Sequence, residues 1–203
     1  TSWPGPKMRA WRSTTLGRTL SGWESGAAGR GGWAMPVNPE QVSLRPLSNW
    51  DLELVLAWRN DPEVMRYLPA SQPPLSWEEH FRWFQATQPK QEALRWMVVY
   101  DDGASRPRTV GTTGCNYATG EVGIVIGEKP LWGQGVGRVA LEKTLRAVTT
   151  PYWEIHRDQF GPIWAVVHPE NLASRRLFES LNFVAVGQGR NEQIKYLWQG
   201  WKE

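Results

Sequence analysis

Three glycines stand at alternate positions in Trp132-Gly133-Gln134-Gly135-Val136-Gly137, between a β-rich run, EVGIVIG, and an amphipathic run, RVALEKTLRAV. Glycine inside a helix costs roughly 0.5–1 kcal/mol relative to alanine, so a helix that opens on such a loop must gain something from bare backbone. A strand that passes into a helix through glycines aims several main-chain N–H groups, and the positive end of the helix, at one point. Such a point suits a phosphate. The loop therefore sits between a strand and a helix, and a ligand that touches the main chain is the obvious candidate for the gain.

The rest of the chain is patterned to surround that unit. VSLRPL reads as a strand. Ser48 with Asp51 gives a capping-box-like start to a helix carrying Leu52, Val55, Leu56 and Trp58. Asp61-Pro62 opens a second short helix with Val64, Met65 and Tyr67. Ser76 with Glu79 opens a third, with Trp77, Phe81 and Phe84 on one face. The strand-like runs LRWMVVYD, RTVGTTGCNYA and EVGIVIG, divided by DDGASRP and Thr119-Gly120, predict an antiparallel meander. After the glycine-loop helix come a strand, PIWAVVHP, a helix, LASRRLFESLN, and a final strand pair, FVAVGQG and IKYLWQGW. The expected order is β-ααα-βββ-α-β-α-ββ, with residues 151–161 an insertion of lid or surface character.

A length of 203 residues suits one ordinary domain with an appendage. Residues 1–40 lack any period of 2 or 3.6 and read as a flexible N-terminal extension, leaving 41–203 as a single domain. Basic charge gathers in residues 1–34, where Lys7, Arg9, Arg12, Arg18 and Arg30 face only Glu24. The remainder is close to neutral and carries no nucleic-acid signature. Cys115, the single cysteine, lies in a strand-like stretch and rules out a disulfide framework. No run reaches the length of a membrane span, and the N-terminus lacks the compact apolar region of a secretory signal. A cytoplasmic protein without membrane partners is the expectation.

The loop admits three readings. A Walker loop is excluded, because no GxxxxGK[ST] occurs. Gly135 to Ala140 fits GxGxx[G/A], yet it follows a meander rather than a first βαβ unit, and the next strand lacks an acidic residue to grip a ribose. A glycine turn serving tight packing alone is the second alternative. As a third, WGQGVG resembles the [QR]xxGx[GA] pyrophosphate loop of the GNAT acyl-CoA-dependent N-acetyltransferases, with Trp132 in place of the commoner Gln or Arg. That exchange is familiar in the branch similar to ribosomal-protein alanine N-acetyltransferases. A second element supports the resemblance: Asn171, Ser174, Phe178, Glu179, Leu181 and Phe183 are similar to the family's NxxSxxxxExxGF. Asn182 replaces the usual Gly there, and Asn also accepts the left-handed conformation that ends a helix.

The resemblance implies an α+β fold: a twisted, mostly antiparallel sheet of six to seven strands with a parallel, splayed central pair and helices on both faces. It implies acetyl-CoA as acyl donor and no metal. Main chain around Val125, Ile126 and Gly127 would pair with the pantetheine arm. Trp132, Gly133, Gln134, Gly135, Val136, Gly137 and Arg138 would take the pyrophosphate, and Asn171 would hold the arm from the far side, a helix cap being its other reading.

Acetyl transfer from a thioester to an amine needs a neutral amine, a donor to the carbonyl oxygen and a proton for the departing sulfur. Neutralising a lysine-like amine at pH 7 costs about 4–5 kcal/mol, an amine of pKa near ~8 far less. Glu121 is the leading candidate base, with an ordinary strand-end charge as the alternative. Many family members place a tyrosine where this chain has Phe178, which has no proton to give, so Ser174 is the substitute donor. The segments LAWRNDPEVMRYL and EEHFRWF resemble acetyltransferases of nucleotide-linked amino sugars. There Arg59, Asn60 and Arg66 suit phosphate or hydroxyls, Trp83 a base or sugar ring or else the core, as its helical spacing with Trp58 and Phe81 also allows, and His80 either the acceptor or packing. A small-molecule amine is the expected acceptor. Protein N-termini, aminoglycosides and a non-catalytic acyl-CoA sensor are the competing readings, and an exposed final strand makes a homodimer one expectation.

Overall fold

The computed structural model describes residues 37–68, 74–87, 93–149 and 161–201. The expected extension lies outside the described residues as far as residue 36, and the expected insertion as far as residue 160. Residues 37–41 already form structure: Asn38 caps the short 3-10 turn Pro39–Gln41, its Oδ1 accepting from the Glu40 amide at 3.0 Å.

Seven strands make one sheet: β1 (Val42–Pro46), β2 (Ala93–Tyr100), β3 (Arg108–Asn116), β4 (Glu121–Ile126), β5 (Trp164–Val167), β6 (Phe183–Gln188) and β7 (Ile194–Trp198). Their order is β1-β2-β3-β4-β5-β7-β6. Every neighbouring pair is antiparallel except β4 and β5, which run parallel. Four α-helices accompany them among the described residues: α1 (Leu52–Arg59), α2 (Trp77–Thr87), α3 (Val136–Val148) and α4 (Leu172–Ser180). The expected architecture is present in strand number, the parallel pair and helices on both faces.

The two faces follow from alternation along β2. Val98 and Tyr100 join Val136, Val139 and Ala140 of α3 in one buried cluster, while Met97, one residue along, buries against Val55 and Trp58 of α1. A third cluster fills the α3 and α4 side with Leu141, Leu145, Phe178, Phe183 and Tyr196. Each fully buried aliphatic contributes roughly 1.5–3 kcal/mol, so Leu141→Ala alone would remove about 2–5 kcal/mol.

Local signals behave as read. Glu79 accepts from the Ser76 amide at 2.9 Å and Ser76 Oγ from the Glu79 amide at 3.2 Å, a capping box at α2. Asp51 accepts from the Ser48 amide at 2.9 Å and takes a bidentate grip from Arg45 at 2.6 and 2.8 Å. Arg45 first, then Ser48, draw the Asp51 carboxyl from 3.8 to about 2. Asn182 adopts φ 67° after α4, the left-handed turn that Asn tolerates.

One element differs. The helix expected from Asp61 is a run of turns. The Asp61 side chain takes the amides of Glu63 and Val64, at 2.9 and 3.2 Å, and only the Met65 amide reaches back four residues, to the Asp61 carbonyl at 3.0 Å. One such bond does not propagate a helix.

Candidate active site

β4 and β5 touch at one point. Glu121 opposes Trp164, and the Trp164 amide donates to the Gly120 carbonyl at 3.0 Å. Beyond that bridge the parallel pair parts, leaving the β5-facing edge of β4 unpaired. Alternation decides which groups stand on it. The Gly120 carbonyl points toward β5, and the Gly127 amide points the other way, to the Val110 carbonyl at 2.9 Å. Main chain of Ile124 and Ile126 therefore faces the opening, while the Val122 amide belongs to the bridge with Trp164. This corrects the expectation for two residues: Val125 and Gly127 turn their main chain toward β3, and only Ile126 of the expected trio faces the cleft. Gly127 serves another purpose, because a Cβ there would collide with the Trp58 ring.

At the far end of β4 lies the glycine loop. Gly133 and Gly135 adopt φ 74° and 92°, a left-handed region costly for other residues. Gly135 is the residue before α3, and the amides of Gly133, Gly135, Val136, Gly137 and Arg138 have no backbone acceptor among the described residues. Gly137 is helical; its hydrogen lets Leu177 of α4 approach, since a Cβ would lie 3.1 Å from Leu177 Cδ1. Side chains brace the loop: Trp132 Nε1 donates to the Ile126 carbonyl at 2.7 Å, and Gln134 Nε2 donates to the Pro130 carbonyl. Trp132 thus occupies the open-edge carbonyl of Ile126. Arg138 is exposed and leans toward Glu142 on its own helix at 3.8 Å.

The helix α4 borders the same opening. Asn171 caps it, Oδ1 accepting from the Ser174 amide at 3.1 Å, so the capping reading of Asn171 is realised. Its Nδ2 and Ser174 Oγ have no partner among the described residues. Ser174 shares a face with Leu177, one turn on, which meets the glycine loop. Phe178 points inward, its ring 5.0 Å from Phe183 and edge-on.

On the α1 and α2 face, a cavity of about 440 Å³ opens over β3 and β4. Arg59, Trp83, Arg95, Cys115 and Glu121 are among its lining residues. Glu121 Oε1 is held by Arg190 at 2.7 Å. Arg190 sits in the β6–β7 connection, where Asn191 and Glu192 both adopt positive φ, 52° and 60°. Burial pushes the Cys115 thiol up to about 12, so it remains protonated at neutral pH. The guanidiniums of Arg59 and Arg95 lie 5.2 and 4.9 Å from the Trp83 ring centre, and burial lowers both below the ordinary arginine value.

Three expected acceptor residues stand apart from this cavity. Asn60 spends its whole amide on residue 75, Nδ2 donating to the Leu75 carbonyl at 3.0 Å and Oδ1 accepting from the Leu75 amide at 2.8 Å. Arg66 is exposed and lies over Tyr67. His80 is fully buried against Trp83, and burial, then the charge of Arg59, lowers its pKa. Arg95 escaped the sequence reading because only the register of β2 with β3, Arg95 opposite Gly114, places it over the cavity.

A family model described as an acetyltransferase (GNAT) domain matches residues 41–184. The chain belongs to the GNAT acetyltransferase family. The uncharacterized protein MJ1062 of Methanocaldococcus jannaschii is 28% identical over 158 residues, which are 77% of this chain and 31% of that protein. The chain thus matches about a third of its curated relative's length. Among solved structures, a domain from M. jannaschii is similar at TM-score 0.66 and 28% identity, covering 77% of this chain and 96% of that one. Spermidine N-acetyltransferase from Vibrio cholerae, in complex with CoA and spermine, is similar at TM-score 0.62 and 19% identity, covering 78% and 94%. Among the described residues of this GNAT domain no cluster of His, Cys, Asp and Glu has the makings of a metal site, and no helix is long and apolar enough to cross a membrane.

Proposed function

We propose that this GNAT domain transfers an acetyl group from acetyl-CoA directly to the primary amine of a small molecule, an amino sugar or a similar compound. The observation that carries the reading is the opening between β4 and β5, closed by one bridge at Glu121 and ending on the amides of Gly133 and of Gly135 to Arg138, which have no backbone acceptor among the described residues. Those amides suit the donor's diphosphate, and the open main chain of Ile124 with the Ile126 amide suits its amide-bearing arm. Asn171 Nδ2 is a candidate contact from the α4 side.

The amine nitrogen attacks the thioester carbonyl carbon. A C–N bond forms, the C–S bond breaks, the amine loses one proton and the thiolate gains one. Ser174 Oγ, half-buried on α4 beside the loop, is the candidate donor to sulfur. Glu121, on the cavity wall, is the candidate acceptor of the amine's proton, with Arg190 fixing its orientation. The cavity on the α1 and α2 face is the candidate acceptor site, and its size fits a small molecule better than a folded protein's terminus.

Free-thiol release from acetyl-CoA is the test, across a panel of amino sugars, polyamines, aminoglycosides and N-terminal peptides, beside thermal shift with coenzyme A. Release with a small amine supports the reading. Coenzyme A binding without release for any amine would overturn it in favour of a sensor.

A further inference from the structure

Because β4 and β5 are joined at one bridge, the spacing of the two walls along their opening depends on what holds α4 from behind. Toward the glycine loop, Leu177 packs so close to Gly137 that a Cβ there would lie 3.1 Å from Leu177 Cδ1. Arg175 and Glu179 each stand two positions from Leu177, on another face of the helix. Both meet Tyr196 of β7. That tyrosine is fully buried, its backbone paired with Ala165 of β5 and Ala185 of β6. Its hydroxyl donates to Glu179 Oε1 at 2.9 Å and accepts from Arg175 Nε at 3.2 Å. Burial, before any neighbour, raises the hydroxyl above its ordinary value, so it stays protonated and serves both partners. Arg175 Nη1 reaches further and donates to the Pro169 carbonyl at 3.2 Å. One guanidinium therefore ties β7 to the entry of α4, two residues before the Asn171 cap and next in sequence to Ser174.

We propose that Arg175 and Tyr196 are positioning residues for acetyl transfer: they fix the rotation and depth of the first turn of α4, and so the place where Ser174 Oγ meets the departing sulfur. The claim rests on the transferase reading above, with Ser174 as proton donor, and deepens it. At nine residues α4 is too short to hold its own orientation, and a reacting group must be locked by the residues behind it. A misplacement of about 1 Å at such a group costs on the order of 100-fold in rate. Neither side chain has to touch the reactants, because the effect passes through Ser174. The proton that Ser174 gives to sulfur is made good by the one the amine loses, so the step needs no further reactant.

A double-mutant cycle on the full chain tests this, read as the single-turnover rate of thiol release from acetyl-CoA. The acceptor is glucosamine, spermidine, ribostamycin or an N-terminal peptide, whichever the wild type uses fastest. Tyr196→Phe keeps the ring and removes the hydroxyl that both partners share. Arg175→Gln removes the tie to Pro169 and leaves the phenol its bond to Glu179, so it carries the cycle if Tyr196→Phe does not fold. Each should slow thiol release by about tenfold while the Kd of coenzyme A moves by less than about threefold. In a Ser174→Ala background the same changes should cost less than about twofold more, since no hydroxyl is left to aim. Arg175→Lys, which lacks the fork, should fall between wild type and Arg175→Gln. Equal losses with and without Ser174, a rate unchanged in both Tyr196→Phe and Arg175→Gln, or a silent Ser174→Ala would overturn the proposal while thiol release in the wild type upholds the transferase reading. If the wild type releases no thiol with any of the four, the transferase reading itself fails. Hydrogen exchange then judges the hold on α4: Tyr196→Phe should speed the amides of Ser174 and Arg175, both bonded to Asn171, and leave those of α3 alone. Unchanged exchange at those two amides would overturn it.

Discussion

Around Gly135 the chain turns its own amides outward and uses side chains, Trp132 and Gln134, only as braces. Around Trp83 it does the reverse: the backbone of β2 and β3 is satisfied in the sheet, and charged side chains from separate elements do the facing. The donor half therefore depends on conformation at two or three positions. The acceptor half depends on which side chains the register happens to juxtapose. On the proposed function, the backbone-built site reads a group common to every coenzyme A thioester, whereas the side-chain-built wall can be rewritten for a new amine without disturbing the loop.

The largest effect expected is on the backbone half. Gly135→Val forces a β-branched residue to φ 92° and should weaken coenzyme A binding on the order of 10–100-fold, measured by calorimetry on folded protein, since such strain costs about 1–3 kcal/mol. A loss under threefold would erase the contrast. Next comes chemistry where the halves meet. Ser174→Ala should lower kcat by about 10–100-fold with coenzyme A affinity nearly unchanged, if its hydroxyl delivers the proton. A fall in affinity without a fall in kcat would return Ser174 to the helix surface.

The third test bears on what holds the acceptor wall. The Asp51 carboxyl, drawn from 3.8 to about 2 chiefly by Arg45, anchors the start of α1. A depressed carboxyl stabilises fully above its unfolded value and loses that contribution as pH falls through the folded one. Stability from this pair should therefore be intact above about pH 4 and fade toward pH 2. Asp51→Asn should cost about 1–2 kcal/mol at neutral pH, seen as a fall in Tm of a few degrees, and flatten the acid limb of a Tm-versus-pH curve. The smallest effect belongs to a brace: Trp132→Phe removes the bond to the Ile126 carbonyl and should weaken coenzyme A binding by about fivefold.

What could be read from the sequence was local. The caps at Ser76 and after α4, the meander and the strand–loop–helix unit each depend on residues within a few positions of one another. Asn182 shows the logic, because its side chain alone makes φ 67° acceptable. What escaped was set by register or by distance along the chain. Which of Val125 and Ile126 faces the opening depends on the parity of β4 against β3. Arg95 reaches the cavity through strand pairing, and Arg190 reaches Glu121 across 69 positions. The turns after Asp61 escaped for another reason: Lys129, at 2.9 and 2.8 Å from Asp61 and Glu63, draws that segment toward the β4–α3 connection.

Trp58 lies flat against the chain at residue 127, where a single hydrogen is all the space allows. The helix α1, which lines the cavity, and the chain leaving β4 thus share one van der Waals boundary. On the proposed function, widening the cavity at this boundary is transmitted to the end of β4 through that indole, which makes residue 58 the place where a bulkier amine would first be felt.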